Sequence, residues 1–410
     1  MVRRYPRDRE MIVRYAGGES RRRTLKGCIQ GSIAGPTFWS LILDTLLREL
    51  AVYIQAFADN VPLSQSLNPE LAHKIGIYAI KYGIFPPEKY NDPASLETKF
   101  LNFKLSNPIG IAAGFDKHGD AVLGLRKLGF SLIEVGSVTP QPQPGNLRPR
   151  VFRLLEDKAI INRYGFNSEG HEAVYKKVSQ LNKAFLEKGL LGINLGKNKL
   201  SDNAAQDYIA GIHKFYDVAD YFVINISSPN TPGLRELQKK EDLKNLLIKI
   251  NQTRNRLPQH KNPPLLLKLA PDLSFEEKRD IASVIMLSES KVDGLIISNT
   301  TTGRENLLNQ KLANEMGGLS GKPLAKKSTE MIREMYTLTG GHIPIIGVGG
   351  VFSGEDAYEK ILAGATVIQI YSALIYHGPP IITRIKNELT ELLQIDGYKN
   401  ISEAIGKGVK

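Results

Sequence analysis

The stretch VINISSPNTPGL (223–234) joins a continuous apolar run to a polar turn, and this pairing decides the fold. The run YFVINIS (221–227) lacks polar–apolar alternation, which is typical of a parallel strand buried on both faces. It nevertheless contains Asn225 and leads directly into Ser228 and Asn230. Because a buried polar group without a hydrogen-bond partner costs about 1–3 kcal/mol, these side chains are expected to face partners or a ligand.

Similar apolar runs recur along the chain, and helix-favouring segments separate them. The eight runs are IGIAAGF (109–115), LIEVGSV (132–138), GINLG (192–196), YFVINIS (221–227), LLLKLA (265–270), GLIISNT (294–300), PIIGVGG (344–350) and VIQIYS (367–372). The segments between them include 203–219, 236–256, 274–289 and 353–363. Eight strand–helix units predict an α/β fold, a closed (β/α)8 TIM barrel over residues 91–400, with a doubly wound open sheet as the alternative.

Two insertions interrupt the regular alternation of strands and helices. Residues 139–167 and 301–322 are rich in proline, glycine and arginine. Segments of this composition are expected to form loops, and here they would lie at one end of the barrel.

The region before the barrel changes composition in three steps. Residues 1–26 hold eight arginines and one lysine against three acids, so they carry +6 of the net charge of +12. This composition resembles an organelle-targeting segment; the alternative is a disordered basic tail without a targeting function. Residues 27–47 contain a single charge, Asp44, and are a candidate membrane anchor, with a helix lying on the domain or in the membrane interface as the alternative.

Residues 48–90 are predicted to form a small helical, membrane-associated domain. Within it, 68–84 carries helix signals, because Asn68 can cap the start and Gly83 can end the helix. The apolar side chains of this helix share one face, at Leu71, Ile75, Tyr78 and Tyr82. A linker, FPPEKYNDPAS (85–95), places the domain boundary near residues 85–95.

Composition also excludes several classes of protein. The single cysteine, Cys28, rules out an intrachain disulfide, and no Cys/His cluster has zinc-ligand spacing. No HExxH motif occurs, so no metal site is predicted. The GxxxxGK[ST] motif is absent too, which disfavours a nucleoside triphosphatase.

Polar residues and glycines fall where each predicted strand ends. In barrels of this type the active site is built at the carboxyl ends of the strands. One asparagine in a strand is more often a satisfied core residue, but one rule obeyed by all eight strands points to an active site. The residues at these ends are Lys117, Ser137, Asn194, Asn225, Ser228, Lys268, Asn299, Thr300, Gly349, Gly350, Tyr371 and Ser372.

The last two strands predict a phosphate ester as part of the ligand. The segment GVGGVFSGEDA (347–357) places glycines before a helix that Ser353 can cap, and GGLSGKP (317–323) supplies a second glycine loop. Glycine lets the backbone approach an anion closely, and the loops after strands seven and eight are the usual phosphate site of this fold.

Lys268 stands inside the apolar run LLLKLA. A buried ammonium group is costly unless it is paired. It is predicted to stabilise negative charge that develops on a cofactor, such as a reduced flavin. The alternative is a lysine that simply pairs with an acidic neighbour.

The motifs along the barrel resemble the dihydroorotate dehydrogenase family in its membrane-associated, quinone-dependent class (class 2). The likeness runs from about residue 68 to about residue 394 and includes IGIAAGFDKHGDA, EVGSVTPQPQPGN, PRVFRL, NRYGFNS, GINLGKNK, NISSPNTPGLR, SNTT, GGLSGKPL, PIIGVGGV and QIYSALIY. It implies an FMN enzyme that oxidises dihydroorotate to orotate in pyrimidine synthesis and reduces a membrane quinone, with ubiquinone expected. It also implies that the protein is located in the mitochondrial inner membrane and has no nucleic-acid partner.

The resemblance implies a role for each matching residue. Ser228 matches the base that takes a proton from carbon 5 while hydride leaves carbon 6 for the flavin, with Thr231 as a candidate proton outlet. Ser298 stands where threonine is common, and the role of Ser227 stays open. The FMN residues are Ala112, Ala113, Gly114, Ser137, Asn194, Asn225, Lys268, Ser298, Gly321, Gly349, Gly350, Tyr371 and Ser372. The orotate residues are Lys117, Asn162, Arg163, Tyr164, Gly165, Phe166, Asn225, Asn230, Thr231, Asn299 and Thr300. The quinone-tunnel residues are His73 and Arg153.

Two other functions are alternatives to this one: a tRNA dihydrouridine synthase and a non-catalytic binding protein. Soluble members of the family use cysteine as the base, and tRNA dihydrouridine synthases, which share the FMN barrel, use a cysteine acid. The barrel segment contains no cysteine, which favours the quinone-dependent class over both. A basic, non-catalytic nucleic-acid- or membrane-binding protein would hold no chromophore, so the colour of the purified protein discriminates against it.

Overall fold

The computed structural model describes residues 10–15, 18–23, 67–181, 189–258 and 262–409, and the chain divides into two compact units, Met1–Ile54 and Gln55–Lys410. In the first unit, strands β1 (Glu10–Tyr15) and β2 (Gly18–Arg23) pair antiparallel, with Glu10 opposite Arg23. The predicted anchor at 27–47 lies outside the described residues, as does the segment from 48 to 66. Within the described ranges, no helix is both long enough and apolar enough to cross a membrane.

The second unit contains the other strands and the helices of the described residues. The strands are β3 (Thr98–Phe100), β4 (Phe103–Leu105), β5 (Ile109–Ile111), β6 (Leu132–Val138), β7 (Val151–Leu154), β8 (Ala159–Asn162), β9 (Leu190–Leu195), β10 (Tyr221–Asn225), β11 (Leu265–Leu269), β12 (Gly294–Ile297), β13 (Gly318–Gly321), β14 (Ile345–Val348) and β15 (Ala365–Ile370). The helices are α1 (Pro69–Lys81), α2 (Val122–Lys127), α3 (Gly170–Val178), α4 (Ala204–Phe215), α5 (Lys240–Arg254), α6 (Phe275–Ile285), α7 (Gln310–Ala313), α8 (Ala325–Leu338), α9 (Gly354–Leu362), α10 (Ser372–His377) and α11 (Pro380–Ile395).

Eight parallel strands close into a barrel in the order β5-β6-β9-β10-β11-β12-β14-β15. Each of the eight predicted apolar runs supplies one of these strands, so the closed barrel is confirmed and the open sheet is excluded. The register places Asn225 of β10 opposite Lys268 of β11, and Gly136 of β6 opposite Asn194 of β9. The polar side chains of Asn225 and Lys268 therefore lie at the same height inside the barrel, and Asn194 lies lower, opposite Val223.

The amino-terminal end of the barrel is covered by the β3–β4 hairpin. Phe100 and Leu105 of this hairpin are fully buried and pack with Leu132, Leu190 and Leu266 of the barrel strands. Closing this end with apolar side chains leaves the opposite, carboxyl end as the open one.

The two insertions, 139–167 and 301–322, are not purely the loops that the sequence predicted, because they contain three strands. Strands β7 and β8 of the first insertion and β13 of the second form a three-stranded antiparallel sheet in the order β13-β8-β7. The sheet has its own small core, in which Leu154, Ile161 and Leu319 pack together. The two insertions therefore fold against each other over the carboxyl end of the barrel.

Helix α1 begins after Asn68, whose side chain accepts hydrogen bonds from the Glu70 and Leu71 amides, and it ends at Lys81. It is fixed to the first insertion by Glu70, which pairs with Arg150 at 3.0 Å and with Arg148 at 3.0 Å. Although burial opposes it, hydrogen bonds and charge from these arginines lower the pKa of Glu70. The helix is thus held against the rim of the barrel.

The segment that follows α1 contacts the last long helix of the barrel, α11. Glu88 lies 2.8 Å and Asp92 2.9 Å from the ammonium group of Lys386, which is buried on α11. Thr383 donates a further hydrogen bond to Glu88. These contacts join Glu88 and Asp92 to α11 of the barrel, and the domain boundary near residues 85–95 stays a prediction.

Candidate active site

One cavity opens at the carboxyl ends of the barrel strands and is lined by most of the predicted site residues. The predicted residues that line it are His73, Ala112, Ala113, Gly114, Lys117, Ser137, Arg153, Asn162, Tyr164, Gly165, Phe166, Asn225, Ser228, Asn230, Lys268, Ser298, Asn299, Thr300, Gly321, Gly349, Gly350, Tyr371 and Ser372. Residues that are far apart in the sequence therefore share one enclosed space, as an active site at this end of the fold requires.

Four asparagine side chains converge on this cavity, namely Asn162, Asn225, Asn230 and Asn299. Asn299 Nδ2 lies 3.3 Å from Asn225 Oδ1, and Asn230 Nδ2 donates to the Asn162 backbone oxygen at 3.1 Å. These contacts hold the amides in fixed orientations and leave further donors and acceptors for a ligand. The arrangement suits a small planar molecule with alternating N–H and C=O groups at its edge.

Ser227 supports the asparagines from behind. Its side chain is fully buried; Oγ donates to Asn225 Oδ1 at 3.0 Å and accepts from Asn299 Nδ2 at 2.9 Å. The sequence leaves the role of Ser227 open, and these contacts give it a supporting position. Ser227 holds two predicted ligand-binding amides together.

Ser228 lines the cavity, and its hydroxyl oxygen accepts a hydrogen bond from the Asn230 amide at 3.2 Å. This contact fixes the hydroxyl group within the loop that follows β10. The predicted proton outlet, Thr231, is buried but does not line the cavity. Among the described hydrogen bonds none joins Thr231 to Ser228, so its role as proton outlet stays a prediction.

Arg235 locks the Ser228 loop in place, and sequence reasoning did not single it out. Its Nε donates to the Ser227 oxygen at 3.1 Å, and its Nη2 donates to the Thr300 oxygen at 3.0 Å. Its Nη1 pairs with Asp272 at 3.0 Å. Burial opposes it, yet hydrogen bonds from Lys327 and a threonine lower the pKa of Asp272 to about 2, so this acceptor stays charged.

Lys117 provides a cation in the same cavity. Its ammonium group donates to Asn167 Oδ1 at 2.8 Å and lies 4.1 Å from the centre of the Tyr164 ring. Burial, followed by the charge of Arg150, lowers the pKa of Lys117 to about 7. An anionic ligand would therefore be bound by a lysine that can gain a proton on binding.

Lys268 and Glu134 form an ion pair inside the barrel, with Nζ and Oε1 3.7 Å apart. Lys268 lines the cavity, whereas Glu134 is fully buried behind it. Both predicted roles of Lys268 are compatible with the structure. The lysine has an acidic partner, and it also faces the cavity, where it could stabilise negative charge on a cofactor. Glu134 was missed by sequence reasoning, although the signal was the same as for Lys268, namely one charge inside an apolar run.

A glycine turn follows β14 at the far end of the cavity. Gly349 and Gly350 have φ of +121° and +75°, and a Cβ on Gly350 would lie 2.5 Å from the Ala325 backbone. Ser372 lies beside this turn in the cavity wall and donates to Ser320 at 3.1 Å. These backbone and hydroxyl donors fit a phosphate ester.

The amino terminus of α9 is not part of this candidate phosphate site. Ser353 caps the helix as predicted and accepts from the Asp356 amide at 3.1 Å. The Phe352 amide donates to Asp356, and the Gly354 amide donates to Glu388. Carboxylates therefore already occupy these amides, and the glycine turn itself is the better anion site.

The cavity continues toward α1 as an apolar channel. His73 contacts the edge of Phe115, with ring centres 5.4 Å apart, and Gly76 and Ile80 line the same side. Burial and the charge of Lys117 lower the pKa of His73 to about 4, so the imidazole is neutral near pH 7. Arg153 lies in the channel wall and donates to the Leu67 oxygen.

Some predicted residues lie outside the cavity. Arg163 pairs with Glu315 at 2.6 Å and stacks over Phe152, so its side chain does not reach the amides. Asn194 is fully buried one layer deeper and donates to Glu134 at 2.7 Å. The described residues contain no cluster of histidine, cysteine and carboxylate side chains able to hold a metal ion.

Comparisons with known proteins agree with this geometry. The sequence model of the family "Dihydroorotate dehydrogenase" matches residues 95–393. The chain is 54% identical to "Dihydroorotate dehydrogenase (quinone), mitochondrial" of Mus musculus, over 84% of this chain and 88% of the mouse protein. It is 48% identical to "Dihydroorotate dehydrogenase (quinone)" of Parvibaculum lavamentivorans, over 85% and 97% of the two chains. The crystal structure of the Eimeria tenella enzyme in complex with ferulenol superposes with a TM-score of 0.80 at 40% identity and covers 83% of this chain and 95% of that one.

Proposed function

The chain belongs to the dihydroorotate dehydrogenase family, in its quinone-dependent class, and from this premise we propose that it oxidises dihydroorotate to orotate with bound FMN and reduces ubiquinone. The reaction would serve pyrimidine synthesis. The observation that carries the proposal is the single cavity that joins a serine base, four amides and two lysines to an apolar channel. Family membership also decides against the tRNA dihydrouridine synthase alternative.

The asparagine cluster and Lys117 would bind the substrate. Dihydroorotate has a ring edge of alternating N–H and C=O groups, which matches the donors and acceptors of Asn162, Asn225, Asn230 and Asn299. Its carboxylate needs a cation, and Lys117 lies beside the amides in the same cavity. Binding of the carboxylate would favour the charged form of this lysine.

Ser228 would remove the proton from carbon 5 of the ring. As its oxygen gains that proton, the original hydroxyl proton must pass to solvent through a hydrogen-bonded outlet, for which Thr231 is the candidate, since a serine alkoxide is not stable near neutral pH. The Asn230 amide, which donates to Oγ at 3.2 Å, favours negative charge on the oxygen during this transfer. Arg235 keeps the loop closed while the proton moves, because it ties Ser227, Thr300 and Asp272 together.

The residues present fit FMN. The glycine turn with Ser320 and Ser372 suits the phosphate, the small side chains of Ala112 and Ala113 leave room for a flat ring, and Lys268 supplies positive charge at the wall. When bound, FMN supplies the two-electron acceptor that carries electrons from the substrate to the quinone. The neutral His73 and the apolar channel under α1 would admit a quinone and exclude charged solutes.

A spectrum and an assay test the proposed function directly. The purified full-length protein should be yellow, release FMN on denaturation and reduce ubiquinone analogues only when dihydroorotate is supplied. A colourless protein that binds no added FMN, or a yellow protein that leaves dihydroorotate unchanged, would contradict the proposal.

The amino-terminal segments complete the proposal. We propose that residues 1–26 direct the protein to mitochondria, that 27–47 anchor it in the inner membrane and that 48–90 cover the quinone channel. Support comes from the sequence composition and from the mouse, rice and Arabidopsis thaliana relatives, whose names include "mitochondrial". Fluorescence microscopy of the intact chain and of a chain without residues 1–26 tests the targeting role.

Substrate binding is expected to weaken as the pH rises above 7. Lys117 has its pKa lowered to about 7, so it is charged below this pH and neutral above it. Because the substrate carboxylate binds the charged form, the KM for dihydroorotate should rise between pH 7 and pH 9, by up to about tenfold per unit. Steady-state kinetics across this range measure the effect.

Lys117→Gln is the control for this pH dependence. The variant should bind dihydroorotate weakly at every pH, with a KM that stays flat from pH 6 to pH 9. A wild-type KM that is equally flat would show that another group sets the binding of the carboxylate.

Gly76→Leu is expected to block the quinone channel without disturbing the substrate site. Gly76 lies on α1 in the channel wall, and a Cβ at this position would meet no atom within 4 Å. The leucine side chain would occupy space that the quinone needs, so reoxidation by a long-chain quinone should slow about 10- to 100-fold, which corresponds to about 1.4–2.8 kcal/mol of lost quinone binding. Stopped-flow measurements of the two half-reactions separate this effect from flavin reduction.

Lys74→Leu is the matched control on the exposed face of the same helix. It adds the same side chain outside the channel and should leave both half-reactions unchanged. If Gly76→Leu slowed flavin reduction by dihydroorotate as much as reoxidation, or slowed neither, the assignment of the channel to quinone would be wrong.

A further inference from the structure

Glu134 is a buried charge that the proposed reaction does not use. It lies on β6, is fully buried and does not line the cavity. A carboxylate in such a place needs strong compensation, because an unpaired buried charge costs far more than a hydrogen-bonded one. The groups around it therefore indicate what it does.

Both carboxylate oxygens of Glu134 are held by amides from other strands. Oε1 accepts from Asn194 Nδ2 at 2.7 Å, and Oε2 accepts from Gln369 Nε2 at 2.6 Å. Asn194 also accepts from Ser137 and lies 3.2 Å from Asn225 Nδ2. The position of the carboxylate is thus fixed by the same polar layer that forms the floor of the cavity.

Lys268 lies between Glu134 and the cavity. Its Nζ is 3.7 Å from Glu134 Oε1, and its side chain is only 6% exposed, on the side that faces the cavity. Tyr221 is a further buried neighbour, and burial together with the charge of Glu134 raises the pKa of this phenol well above its ordinary value. The tyrosine is therefore neutral, and the charges in this layer are those of Lys268 and Glu134.

We propose that Glu134 is the counter-ion of Lys268 and limits the positive charge that Lys268 presents to the bound flavin, which sets the flavin reduction potential lower than Lys268 alone would set it. The inference rests on the proposed FMN-dependent function. Glu134 is a positioning residue in this account, since it acts on the flavin through Lys268 and by its own charge behind it. The arrangement would balance the two half-reactions, because the flavin must accept electrons from dihydroorotate and then release them to the quinone.

Glu134→Gln tests the inference with little change in shape. The variant keeps an acceptor for Asn194, and its new N–H group can donate to Gln369 Oε1, which has no partner in the described structure, after that amide turns over. With the countercharge gone, the midpoint potential of the bound flavin should become more positive. At least a tenfold gain in the affinity for reduced over oxidised flavin is expected, which equals about 30 mV for a two-electron couple.

The two charges are best resolved in a double-mutant cycle of flavin potentials. The expected order, from most to least positive, is Glu134→Gln, wild type, Glu134→Gln with Lys268→Met, and Lys268→Met. Reoxidation by quinone should slow in Glu134→Gln, because its flavin holds electrons more tightly. The double variant keeps the comparison possible if Lys268→Met alone fails to fold, since it contains no unpaired buried charge.

The outcomes separate this inference from the proposed function. If Glu134 only holds Lys268 in place, Glu134→Gln would leave the potential unchanged or make it more negative, and the inference would be overturned while the enzyme still oxidised dihydroorotate. If the wild-type protein held no FMN, the proposed function would fail and the inference with it.

Discussion

Replacing Ser228 with alanine is expected to slow the reduction of the bound flavin by dihydroorotate about 10²–10⁴-fold, which is the usual contribution of a general base. Ser228 lines the cavity beside Asn225 and Asn230, and its oxygen is fixed by the Asn230 amide at 3.2 Å. The methyl group of alanine cannot take a proton, but it leaves the amide cluster intact. Stopped-flow absorbance at the flavin band measures the rate, and orotate titration of the flavin spectrum measures binding, which should change little.

Ser227→Ala is the matched control for this prediction. The neighbouring hydroxyl touches Asn225 and Asn299, so its loss should weaken orotate binding while the base remains in place. Ser228→Cys should keep some activity and lower the pH optimum, because a thiol ionises near pH 8.5. Reduction traces of Ser228→Ala that overlay those of wild type would remove Ser228 from the role of base.

The barrel could be predicted from the sequence because its strands are buried on both faces. Each apolar run had to become a strand, and the rule that active sites lie at the carboxyl ends of the strands brought Asn225, Lys268 and Gly350 to one cavity. The sheet formed by the two insertions could not be predicted in this way. Its strands are only four residues long, and β13 pairs with a strand about 160 positions earlier in the chain.

The orientation of α1 shows a second limit of sequence patterns. Leu71, Tyr78 and Tyr82 do share a face, but that face is 49–60% exposed. The residues of α1 that line the cavity are different ones, among them Ala72, His73 and Gly76. Hydrophobic periodicity assumes that the largest apolar side chains are buried, and a helix that lines a cavity does not follow that rule.

Buried charges show a third limit, since a sequence reveals the charge but not its partner. Lys268 is unusual in its apolar strand, and Glu134 in LIEVGSV carries the same signal, but neither run indicates that the two side chains pair. Their 3.7 Å approach depends on the closure of the barrel, which brings β6 and β11 to opposite sides of one polar layer. The assignment of Arg163 depended on its neighbours in the NRYGFNS motif, whereas its side chain turns toward Glu315.

Lys268→Met is expected to slow flavin reduction about 10²–10³-fold, which is the usual cost of removing one group that stabilises developing negative charge. The same change leaves Glu134 buried without its cation. Loss of one partner of a buried ion pair typically lowers the free energy of unfolding by about 3–5 kcal/mol, so weaker FMN retention and a lower melting temperature are expected together. A slow rate in this variant alone would therefore not distinguish a catalytic lysine from a structural one.

Combining Lys268→Met with Glu134→Gln separates the two effects. The double variant has no unpaired charge, so its melting temperature should return close to that of wild type, as replacing both members of a buried ion pair often costs little. Its flavin reduction should recover only in part, because the positive charge beside the cavity is still missing. Stopped-flow rates and thermal unfolding of the four proteins measure both quantities. A double variant that regained the full wild-type rate would show that Lys268 is present to neutralise Glu134 and does not act on the flavin.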